Sequence, residues 1–280
     1  MASRAGFTLV EALLSLVLSS FLVMLMSTVF VVQSDFYEGQ LQRAMAQDNA
    51  RSVTEVVASE LRGAMGSAIQ VATATQLVVR SPIRLAMVCA VQANHAHVHF
   101  EGGEAELDTL AVKGFGVFND TTDTWSYYAA NWQTIDESRT DSDDRCANNG
   151  TDTTGVADEF NRLENIKVLS GTIPPVGTVM MFYRETEFVL TTSALDATSI
   201  GLFKGEYGGS LVEFASGMDA TAQFLYRTGG TTYATPITGS ALANIDAVRL
   251  VASTRVRAVS GGQDDGVAGW AVNVPLRNSN

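Results

Sequence analysis

At 280 residues and 46% hydrophobic, the chain is long enough to bury a core of its own even if an apolar segment is set aside, so one globular domain is expected. Its formal net charge is −12 and its pI is near 4.6, with the basic residues scattered singly. A phosphate-tracking surface needs clustered Lys and Arg, so direct nucleic-acid binding is not expected as the main function.

The first eleven residues, Met1 to Glu11, carry a single basic side chain, Arg4, and no charge follows between Ala12 and Val32. Those 21 residues make roughly 31 Å of helix, the thickness of a bilayer core. The small residues Ser15, Ser19, Ser20, Ser27 and Thr28 are spread through the run, and no Ala-x-Ala site closes it. The segment is therefore expected to stay on the mature protein rather than leave as a secretory signal. Arg4 places the N-terminus in the cytoplasm by the positive-inside rule, and the domain after Val32 beyond the inner membrane, in the periplasm. Glu11 is a carboxylate at the front of an apolar helix, which costs about 2.5–3.5 kcal/mol at mid-bilayer and less near the interface. It needs a partner; the plain alternative is an anion facing its own helix dipole.

After Asp35 and Glu38 the pattern turns amphipathic: Leu41, Met45, Val53, Val56, Val57 and Leu61 recur at helical spacing, and Gly63 and Gly66 supply an end. Residues 7 to about 63 read as one helix of roughly 85 Å. Its apolar half is 7–33 and its amphipathic half is 34–66, leading into a β-rich domain over 67–280. Strand signatures fall at 76–80, 96–101, 107–113, 177–183, 186–192, 211–215, 222–227, 245–257 and 269–276. A short helix is possible at 156–165. The expected fold class is α+β, a long helix on antiparallel sheet. Residues 119–155 form a polar stretch too long for an ordinary connection, and read as an insertion or ordered loop.

His95, His97 and His99 alternate, so on a strand they share one face, and neutral imidazoles suit Zn or Cu. A solvent-facing edge strand is the plain alternative. Asp141, Asp143, Asp144 and Asp152 crowd one loop with oxygen ligands that suit Ca²⁺, although the spacing is not an EF-hand and Asx turns explain it equally. Cys89 and Cys146 would lie in an oxidising compartment, as a disulfide or as two buried thiols. No nucleophile elbow, P-loop or His-Glu-x-x-His motif is present, so a non-enzymatic function is expected.

The run Gly6-Phe7-Thr8-Leu9-Val10-Glu11, directly followed by the apolar helix, resembles the class III signal of type IV pilins and pseudopilins. The resemblance implies a precursor cut after Gly6 by a prepilin peptidase, methylation of the Phe7 amine, and a role for Glu11 in meeting the terminal amine of a neighbouring subunit. Further segments are similar to PilW-like minor pilins and J-type minor pseudopilins. These are Glu60-Leu61-Arg62-Gly63-Ala64 at the helix end, Leu211–Met218 (their "LVEGV" strand), Asn244–Leu250 ("I-x-A-V-R-L") and Val274–Asn278 ("V-x-L-R-N"). The apolar helix lacks the mid-helix proline of many major pilins, and the two C-terminal cysteines common there are missing. By resemblance, then, the chain is a minor pilin, partnered by other minor and major pilins, that initiates or caps a pilus. The alternatives are a J-type pseudopilin of type II secretion and a membrane-anchored adhesive module. Some pseudopilins bind calcium, which the resemblance extends to the aspartate-rich loop.

Overall fold

The computed structural model describes residues 8–92, 95–100, 112–122, 124–132, 164–168, 173–256 and 266–276. Helix α1 (Leu9–Gly63) is continuous for 55 residues, roughly 82 Å. No proline interrupts it. Four hydroxyls of its apolar part are satisfied internally: Ser15, Ser19 and Ser20 donate to Ala12 O, Ser15 O and Val17 O, and Thr28 donates to Leu25 O. That removes the cost of carrying polar side chains in an apolar surrounding.

The helix stops at Gly63, but not through a left-handed cap. Ala64 is extended and its N–H returns to Leu61 O. A Cβ on Gly63 would stand 3.2 Å from the Pro82 ring, so the glycine admits close approach of the first long strand. The left-handed residue is Ser67, at φ 60°.

The strands are β1 (Ile69–Ala72), β2 (Gln76–Gln92), β3 (His95–Phe100), β4 (Gly114–Asn119), β5 (Thr124–Trp132), β6 (Glu164–Val168), β7 (Val179–Thr192), β8 (Ile200–Glu206), β9 (Leu211–Met218), β10 (Gln223–Arg227), β11 (Ala247–Val256) and β12 (Gly266–Pro275). All pair antiparallel in one sheet. Its order is β1-β2-β3-β6-β5-β4-β7-β8-β9-β11-β10, with β12 on β11. Because β2 also pairs β7, the six strands β2-β3-β6-β5-β4-β7 close into a barrel. The fold is α+β, as composition and pattern indicate, but the closed barrel is not foreshadowed by them.

Two cores follow. Val53, Val57, Ala58 and Leu61 of α1 pack on Leu77, Val79, Phe188, Leu190, Leu202, Phe224, Val248, Leu250 and Val274. Ala86, Val88, Ala96, Val98, Phe115, Met180 and Phe182 fill the barrel. Both lie on the even face of β7. In β2 the facing residues change from odd to even numbers, because the register shifts between Pro82 and Arg84. Pro82 has no N–H to give a ladder, and a bulge is where a long strand tolerates that.

Several sequence expectations are corrected here. The segments 177–183 and 186–192 are one strand, β7, and 76–80 is the start of a strand that runs to Gln92. Val112 and Lys113 precede β4 rather than ending a strand, and 107–111 lie outside the described residues. The polar stretch 119–155 is not a loop throughout: Thr124–Trp132 is β5, paired with β4 through a turn in which Asn119 Oδ1 accepts from Thr121 and Thr122. Residues 133–155 lie outside the described residues. Glu164 and Asn165, expected in a short helix, begin β6, and 156–163 are not described.

Candidate functional site

The segment with most to act on is the first part of α1. Leu9–Leu41 is long and apolar enough to cross a membrane, and none of it is buried within the chain. Its uncharged stretch runs from Ala12 to Ser34, 23 residues or roughly 34 Å. Exposed Phe36 and Tyr37 follow directly, where aromatic side chains favour a membrane–water interface. Among the described side chains, Val53 is the first of α1 to enter the core against the sheet.

At the front of this arm Thr8 and Glu11 form a capping box. Glu11 N–H donates to Thr8 Oγ1 (3.3 Å), and the Glu11 carboxylate accepts from both the Thr8 N–H and hydroxyl (3.1 Å each). Within one chain, then, Glu11 is held against its own helix start, where the dipole favours an anion. Gly6 and Phe7 lie outside the described residues. Thr-x-x-Glu before an apolar run is the local sequence signature of this cap.

At the other end, Glu60 projects from the docked face. Its carboxylate accepts from Lys204 Nζ of β8 at 2.6 Å and from Arg184 Nη2 of β7 at 3.1 Å. Burial pushes this carboxyl up, but hydrogen bonds from Lys204 and Ser81 and the two cations outweigh it and hold it below the ordinary carboxylate range. A second tie joins the turn after α1 to the barrel. Tyr127 of β5 donates to Gly66 O (3.1 Å), and Arg80 of β2 lies 4.4 Å over the Tyr127 ring while donating to Ser67 O. Burial, only partly opposed by Arg80, raises the Tyr127 hydroxyl well above the normal tyrosine value. These partners are far apart in sequence, and no local motif announces them.

Strand β3 places positions 95, 97 and 99 in alternation with Ala96 and Val98, which face the barrel interior. Among the described residues no group of three metal-ligating side chains converges. Asp141, Asp143, Asp144, Asp152 and Cys146 lie outside the described residues; Cys89 stands on β2. No protein-family model, no curated protein and no solved structure matches the chain. What the described geometry offers chemically is an uncovered apolar helix with a locally capped carboxylate, whose far end packs into the core of a β domain. Such an arm suits insertion into a membrane or packing against other helices.

Proposed function

We propose that this chain is a minor type IV pilin of the PilW-like kind, processed by a prepilin peptidase after Gly6 and built into a complex that initiates or caps a pilus. The observation that carries the reading is the continuity of α1. One unbroken helix is bare over Leu9–Leu41 and buried in the domain core at Val53, Val57 and Leu61, so any force on the arm passes directly to the sheet. The arm first resides in the inner membrane, with the domain on its periplasmic side. It then packs with helices of other minor and major pilins, and Glu11 exchanges its capping bonds for the Phe7 amine of a neighbour. No chemical turnover is part of this role.

Mass spectrometry of the mature protein tests it: an N-methylated Phe7 terminus is expected. Retention of Met1 in a strain that processes its other prepilins refutes the reading.

A further inference from the structure

The outer wall of the barrel carries an apolar surface that neither the helix nor the barrel interior uses. Phe118 of β4 pairs with Trp125 of β5 and adjoins Val179 of β7, one residue beyond the Val117–Met180 pair. Val179 in turn pairs with Met87 of β2, and Leu85 is the next outward residue on that strand. Val176 extends the surface through the turn leading into β7. Leu85, Met87, Phe118, Val176 and Val179 are each between 40% and 61% exposed, and Trp125 is partly so. The wall is flat beside Trp125 because a Cβ on Gly116 would meet the Trp125 and Tyr127 ring carbons at 3.1–3.2 Å, so those rings lie across the glycine. These residues adjoin one another across four adjacent strands, so they form one contiguous patch, of a size that is often functional, rather than singly scattered apolar residues.

Charge and size select the occupant. A bilayer holding the arm is not the expected occupant: the charged residues Asp35, Glu38, Arg43, Asp48 and Arg51 stand along the helix between the uncharged stretch and Val53, the first core residue of α1. A second copy is disfavoured because each chain carries a net charge of −12. Six partly exposed side chains supply about a few hundred Å², short of the roughly 800 Å² per partner of a stable free-standing interface. Such a patch holds a partner only if something else brings the two together.

We infer that the outer barrel wall is the contact for a different protein subunit of the same assembly, one with an apolar centre and a basic rim. This rests on the assembly reading above. The patch lies on the face of β7 opposite the helix-packed core, so its occupant does not compete with partners of α1.

The test is photo-crosslinking in the source cells with the full-length chain, the crosslinking residue placed at Met87 or Val179 and, separately, on the arm at Val17 or Phe21. The patch positions should capture one distinct polypeptide that carries its own N-terminal apolar helix. Its yield should fall roughly tenfold in Val179→Asp, the cost of a charge in an apolar contact, and should also fall at high salt. Met87→Ser, with melting temperature as the fold control, guards against misfolding of the charged variant. Arm products without patch products, or patch products that are only lipid or another copy, overturn the inference and leave the assembly reading standing. Absence of protein products from the arm overturns both.

Discussion

Glu60, in the last turn of α1, receives a 2.6 Å hydrogen bond from Lys204 of β8, 144 residues further along the chain. Arg184 joins from β7, so one carboxylate ties the helix to two strands. Because the folded state holds this carboxyl below its ordinary value, the stabilisation is fully present above the unfolded pKa and is lost as pH falls through the folded one. Glu60→Gln keeps the shape and removes the charge. It should cost about 1–2 kcal/mol at pH 7, after discounting for the partly exposed cations. Thermal melts from pH 7 down to 3 should show the gap between variant and parent closing at the acid end; a constant gap would count against the ion pair as its source.

Strand β7 serves both cores, with Met180 and Phe182 in the barrel and Phe188 and Leu190 under the helix. Leu61→Ala should cost about 2–5 kcal/mol and Phe115→Ala about 3–5 kcal/mol. Since the cores share β2 and β7, each change should lower a single common unfolding transition. Calorimetry resolving two transitions, each moved by only one substitution, would mean that barrel and helix-packed sheet fold apart.

Two glycines make an opposed pair. A Cβ on Gly114 would fall 2.1 Å from the Tyr128 carbonyl oxygen, so Gly114→Ala must spread β4 from β5 and should cost about 1–3 kcal/mol. Gly39, in the bare part of α1, has nothing within 4 Å of such a Cβ. Gly39→Ala should gain about 1 kcal/mol of helix propensity. Hydrogen exchange around residue 39 in detergent should then slow by roughly fivefold. Unchanged exchange would place the weak point of the stalk elsewhere.

What the sequence discloses here is mostly local and periodic. The span of α1 is visible because an uncharged run passes without a break into a 3.6-residue apolar pattern ending at Leu61. Strands β9 to β12 are visible because β-branched and aromatic residues stand between turn residues. The barrel is not, since its closure depends on β2 pairing β7 about a hundred residues away and on one bulge near Pro82 that changes which residues face inward. Strand β5 hides within a polar stretch, although Trp125, Tyr127 and Tyr128 carry β propensity. The same limit applies to Glu60: Glu-Leu-Arg-Gly marks a helix end, but nothing local says that Lys204 and Arg184 will meet the carboxylate.

Glu11 has two possible uses, and Thr8 separates them. Thr8→Ala removes the hydroxyl that accepts from the Glu11 N–H but keeps the carboxylate; Glu11→Ala keeps that backbone bond and removes the carboxylate's half of the box together with the charge. Losing a threonine cap should cost about 1 kcal/mol of local helix stability, felt as fraying of the first turn. If Glu11 works through a neighbouring subunit, both variants should still be processed. Thr8→Ala should then enter the assembly at near-parental levels while Glu11→Ala is largely excluded. Immunoblots of purified filaments against membranes measure the ratio. Equal loss in the two variants would assign Glu11 to capping alone, and the charge at the head of the arm would then need no partner beyond its own helix.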